Sequence, residues 1–187
     1  MAPGGRHPPW VCYAAAMPGT IAEINALDRT AFVTHFGAVF EHSPWVAEAA
    51  WKHHRPFPGR AALHAAMCAV VQTAPPERQL ALIRAHPDLV GRAAREGRLG
   101  AASTSEQSGA GLDQLTPDEI AWFEQHNAAY RERFGFPFVI CVRANRKQAI
   151  VAGFETRLLH TPEQERAAAL AEIETIAAFR LADLVAE

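Results

Sequence analysis

The stretch "FGFPFVICV", residues 134–142, decides the fold class. Its aromatic and β-branched residues favour extended backbone, and Gly135 and Pro137 interrupt any helical run. A strand needs a partner, and the rest of the chain offers no second run of this kind. The segment therefore reads as a lone extended piece inside an otherwise helical protein. Its backbone N–H and C=O groups must still find partners. Two sources are open: neighbouring loops and water, or a ligand rich in amide-like donors and acceptors, bound as if it were a short strand.

Outward from this segment the period is helical. On its N-terminal side, Thr116-Pro117-Asp118-Glu119 is a capping box ahead of Ile120, Phe123, Asn127, Tyr130 and Phe134 on one face. On its C-terminal side a helix runs over about 147–160, and Thr161-Pro162-Glu163-Gln164 opens a last long one to about Val185. Further upstream, Asp28 caps a helix carrying Phe32, Phe36, Val39 and Phe40. Ser43-Pro44 starts another, with serine as cap. An alanine-rich helix covers about 60–73. "RQLALIRAH" must stop near His86, because a residue before proline avoids the helical region. "GRAAREGRLGAAS" reads as a loop. The expected architecture is all-α: a single compact multi-helix domain over 20–187, with one extended segment, preceded by a loose Pro/Gly-rich extension over 1–19 in which Met17 is an alternative start.

With 187 residues, 49% of them hydrophobic, the chain can bury a substantial core. A formal charge of −2 with no basic run argues against nucleic acid as a partner. No apolar run has the length of a membrane span, so no membrane partner is expected. Cys12, Cys68 and Cys141 are odd in number and far apart, as expected of reduced thiols in the cytoplasm. The terminal "LVAE" matches no peroxisomal or retention signal. No metal-ligand spacing, P-loop or G-x-G-x-x-G occurs, so neither a metal nor a nucleotide cofactor is expected.

Three features do not fit a bland helical protein. Arg180 falls on the apolar stripe of the last helix, seven residues after Ile173 and four before Leu184. Either its stem packs while the head reaches water, or the guanidinium grips an anion such as a substrate carboxylate. His86 closes a helix immediately before Pro87; it either complements the helix dipole or serves as an acid or base near neutral pH. Ser103 and Glu106 stand at capping-box spacing in "STSEQSGAGL", residues 103–112. Glu106 is then a cap, a pocket carboxylate, or both.

"AHPDLVGR", "STSEQSGAGL" and "NAAYRERFGFPFVICV", in this order, together with "FVTHFGAVFEHSPWVAEAAW" and "RPF" upstream, resemble the OHCU decarboxylases over about 21–185. These enzymes act on 2-oxo-4-hydroxy-4-carboxy-5-ureidoimidazoline on the way from urate to (S)-allantoin. The resemblance implies an all-helical, cofactor-free homodimer with a ureido-imidazoline substrate. It implies His86 as the catalytic histidine, Glu106 as its acidic partner and Arg180 as the arginine of the last helix. Substrate binding would fall to Pro87, to Ser103, Thr104, Ser105, Glu106 and Gln107, and to the main chain of Phe138, Val139, Ile140, Cys141 and Val142. One departure is Val90, where glycine or alanine is common after "HPDL".

The substrate this implies carries a carboxylate and a hydroxyl on one ring carbon beside a C=N bond. That bond can take the electron pair left by CO2, so the substrate supplies its own electron sink. On this reading Glu106 orients His86 or the hydroxyl, Arg180 holds a substrate oxygen, and Arg180→Ala weakens binding or loses turnover with little loss of fold. The competing possibilities are a non-catalytic helical binding protein on the same scaffold and a lyase for a related ureido-imidazoline.

Overall fold

The computed structural model describes residues 19–91, 103, 106, 107, 112 and 114–186. Within them lie eight named helices: α1 (Ile21–Ala26), α2 (Arg29–Phe36), α3 (Pro44–His54), α4 (Arg60–Gln72), α5 (Pro76–Ala85), α6 (Pro117–Phe134), α7 (Lys147–Arg157) and α8 (Pro162–Leu184). The fold is all-α, as the sequence pattern predicts. The described residues contain no strand pairing beyond one isolated bridge, Gly19 with Val185, which ties the two ends of the described chain together. No helix among them is long and apolar enough to cross a membrane.

The starts of the helices follow local rules. Thr116 and Thr161 form complete capping boxes with Glu119 and Gln164, and Asp28 accepts from the Ala31 N–H at 2.8 Å. A further box, Thr20 with Glu23, opens α1, a short helix that the apolar pattern did not reveal. Ser43 occupies the N-cap position of α3, but its hydroxyl makes no capping bond. The α6 helix ends at Gly135, whose φ of +74° lies in the left-handed region, where a Cβ is costly. Gly135→Ala is expected to lower stability by about 1 kcal/mol; urea denaturation checks this.

The α8 helix packs on α4 and α5, while α3 packs on both α2 and α4. Phe32, Phe36, Leu63, Met67, Leu82, Ile83, Tyr130 and Phe154 are fully buried between them. Residues 136–141 cross this bundle as an extended segment without a strand partner. Phe138 stacks on Phe154 of α7, with ring centroids 3.8 Å apart. The close approach needs Gly153, where a Cβ would lie 3.3 Å from the Phe138 ring.

Side chains satisfy one edge of the segment. The Val139 carbonyl accepts from Arg157 Nη1 at 2.7 Å, and the Cys141 N–H donates to Glu172 Oε2 at 2.8 Å. The Cys141 carbonyl accepts from Asn145 Nδ2 at 2.9 Å. Arg157 is itself held by Glu165, a fully buried carboxylate that also takes the Tyr130 hydroxyl and His160 Nδ1. In extended backbone the N–H and C=O of successive residues point to opposite sides. The N–H and C=O of Ile140, between these two, have no partner among the described residues.

Candidate active site

Most of the residues singled out by the sequence line one cleft. They are His86, Pro87, Ser103, Glu106, Gln107, residues 138–142 and Arg180, joined by Leu89, Arg143 and Ile176. Thr104 and Ser105 lie outside the described residues. The cleft sits where the end of α5, the extended segment and α8 converge.

His86 caps the C-terminus of α5 with extended backbone, φ −73° and ψ 140°, as its proline neighbour requires. Its Nδ1 lies 2.9 Å from the Leu82 carbonyl. A carbonyl can only accept, so Nδ1 carries the proton and Nε2 carries the lone pair. Nε2 is buried and has no hydrogen-bond partner among the described residues. Burial, the largest influence, pushes the His86 pKa down to about 4; the Leu82 bond and the charges of Glu41 and Glu106 oppose this without reversing it. The site thus presents a neutral imidazole with an unused acceptor. Glu106 does not hydrogen-bond His86. The expectation that it orients this ring is corrected: the backbone carbonyl of Leu82 does so.

This state couples stability to pH. The folded value of about 4 lies below the ordinary 6.5, so on acidification the unfolded chain binds the proton first. The contribution of neutral His86 is intact above pH 6.5 and is lost progressively between 6.5 and 4. Over that window the wild type is expected to lose stability relative to His86→Asn, measured by denaturant midpoints at a series of pH values. A constant difference would mean that His86 is not held neutral.

The loop after His86 is held from three sides. Asn127 Nδ2 donates to the Leu89 carbonyl at 2.9 Å, and the Val90 N–H donates to Gln107 Oε1 at 3.1 Å. Arg131 pairs with Asp88 at 2.9 Å. Val90 has φ +54°, a region that favours glycine and strains a β-branched residue. The valine is a locally costly choice here.

Arg180 does not reach water. It is 6% exposed. Its Nε and Nη2 grip both oxygens of Glu106 at 2.9 Å each. Nη1 donates to Glu41 Oε2 at 2.9 Å and to the carbonyls of Ala38 and Val39 at 3.4 and 3.3 Å. Nη2 also donates to Ser103 Oγ at 3.3 Å. All five guanidinium N–H groups are engaged. Burial works against its charge, but Glu106 and Glu41 outweigh this and hold its pKa above the usual value. The reading in which its head reaches water is therefore corrected: the guanidinium is buried, and within the protein it grips Glu106 and Glu41. With these internal partners, Arg180→Ala is expected to cost stability as well as binding.

The S-x-x-E spacing is likewise put to another use. Ser103 Oγ donates to Glu41 at 3.1 Å, and the Glu106 carboxylate is spent on Arg180. Neither side chain closes a capping box. Glu41, 7% exposed, is the residue the sequence reading missed. An acid placed directly after buried Phe40 was the available signal, since Arg180 on an apolar stripe demanded a carboxylate somewhere. Burial raises the pKa of the Cys141 thiol, which keeps it protonated and a poor nucleophile.

A family model described as OHCU decarboxylase matches residues 25–182. A 2-oxo-4-hydroxy-4-carboxy-5-ureidoimidazoline decarboxylase from Haloferax volcanii is 44% identical over 164 residues, covering 88% of this chain and 95% of that protein. The protein of the same name from Amia calva is 41% identical, covering 87% and 93% respectively. A crystal structure of (S)-allantoin synthase superposes with a TM-score of 0.74 at 31% identity, covering 90% of this chain; the chain spans 54% of that solved protein.

Proposed function

The chain belongs to the OHCU decarboxylase family, and from that premise we propose that it decarboxylates 2-oxo-4-hydroxy-4-carboxy-5-ureidoimidazoline to (S)-allantoin in urate degradation, with His86 as the general base. The observation that carries the assignment is His86 Nε2: a buried, unpartnered acceptor on a neutral ring whose other nitrogen is locked to Leu82.

The free amide edge of Ile140 suits the ring and ureido amides, which repeat the donor–acceptor pattern of a neighbouring strand. Gln107 has its carbonyl oxygen spent on Val90 and keeps its NH2 for a substrate oxygen. As the C–CO2 bond breaks, its electron pair enters the ring and the adjacent C=N accepts it, the nitrogen taking up a proton. His86 Nε2 takes the hydroxyl proton as the ring carbonyl forms and passes it to one face of the neighbouring carbon, setting the S configuration, while the proton on the ring nitrogen comes from solvent. Burial keeps His86 ready as a base at neutral pH without a bound counter-ion. Arg180 holds Glu106 in place beside the reacting ring. The substrate's own C=N supports a reaction without metal or organic cofactor. The family likeness supports a homodimer at work in the cytoplasm.

The test is a coupled urate assay. Urate oxidase and hydroxyisourate hydrolase generate the unstable substrate in situ, and circular dichroism follows (S)-allantoin. Wild type is expected to speed (S)-allantoin formation beyond spontaneous decay. No acceleration with a correctly folded protein would refute the assignment.

A further inference from the structure

Among the described residues that line the cleft, only Arg143 and Arg180 carry a permanent positive charge. Arg180 already faces two carboxylates, Glu41 and Glu106, and has no N–H to spare. A substrate carboxylate brought against it would put a third anion on one cation. Arg143 is differently placed. It directly follows the extended segment, and its guanidinium lies 4.8 Å from the ring centre of Phe179 on α8. Its partner is Asp183, bonded at 2.5 and 3.1 Å through Nη1 and Nη2. The side chain of Arg143 is 33% exposed and that of Asp183 is 59% exposed.

We propose that Arg143 is the residue that captures the substrate's carboxylate, exchanging its bond with Asp183 for one with the ligand. The proposal rests on the ureido-imidazoline reading above. Magnitudes favour the exchange. The Arg143–Asp183 pair is screened by solvent, with side chains 33% and 59% exposed, so releasing it costs little. A carboxylate inside the cleft has lost part of its water, and there a forked Arg–carboxylate bond is stronger. The contact with Phe179, 4.8 Å from guanidinium carbon to ring centre, keeps the group in place whichever carboxylate it holds. The grip acts on the ground state: as CO2 forms, the negative charge moves away from Arg143 into the ring. Arg143 therefore governs capture and selectivity for an acid over a neutral ring, and not the chemical step.

Two measurements test this. The first is equilibrium binding of a matched pair, 2-oxoimidazolidine-4-carboxylate and its 4-carboxamide, to wild type, Arg143→Gln and Arg143→Lys. Arg143→Gln is expected to weaken the acid roughly tenfold and to leave the amide unchanged, while Arg143→Lys restores part of the loss. The second is the coupled assay, in which Arg143→Gln should raise KM roughly tenfold with kcat within about twofold. Equal weakening of acid and amide, or an unchanged KM, would overturn the role of Arg143 while leaving the decarboxylase assignment standing. A wild type that prefers the acid through Arg143 but turns over no substrate would do the reverse. If neither probe binds wild type, the KM of Arg143→Gln decides.

Discussion

Replacing His86 with alanine is expected to lower kcat by about 10²–10⁴-fold, the range typical of a positioned general base. The substrate should still bind, because the amide edge of Ile140, Gln107 and the cleft walls are untouched. His86→Asn is the stricter version. Its side-chain amide can still donate to the Leu82 carbonyl, which His86 Nδ1 approaches at 2.9 Å, yet it offers no basic nitrogen to the cleft. A variant of either kind that keeps full kcat in the coupled assay would remove His86 from the chemistry. A variant that loses kcat only in step with lost helical signal would move its role to the fold.

Arg180→Ala is expected to be the most damaging single change to stability. The substitution leaves Glu41 and Glu106 facing each other without their cation, and Glu41 has little access to water at 7% exposure. Removing one member of a buried charge set typically costs about 3–5 kcal/mol, a large share of an ordinary domain's total stability of about 5–15 kcal/mol. Activity should fall with it, because Glu106 loses both bonds that hold its oxygens. Glu41→Gln is the informative comparison. It leaves one cation against one carboxylate, so it should cost clearly less than Arg180→Ala. Equal melting temperatures for wild type and Arg180→Ala would mean that the guanidinium contributes nothing net to the fold.

Much of the site was legible in the amino-acid sequence. His86 stood out because a proline followed it, Arg180 because it interrupted an apolar stripe, and residues 134–142 because they broke the helical period. Ser103 and Glu106 stood out by their capping-box spacing, while the substrate-binding role of Gln107 came through the resemblance to a family. What remained hidden was who partners whom. The charge on Arg180 announced that an anion was needed, and the anion was sought in a substrate; the structure supplies Glu41 and Glu106 from the chain itself. The same holds for the extended segment, whose expected ligand or water partners are on one edge Arg157, Glu172 and Asn145.

The sequence by itself determined where helices begin, because capping is settled within a few residues. Thr116 and Thr161 each find their partner three positions on, whatever the rest of the chain does. It also determined the all-α class, since one extended run without a second cannot make a sheet. Only the tertiary structure decided that Arg180 meets Glu41 across 139 positions, that Leu82 sets the tautomer of His86, and that Ser103 serves a charge cluster instead of a cap. A buried charge has to be compensated, but which side chain compensates it depends on distances in space. Those distances are set by helix packing, for which local pattern carries no information.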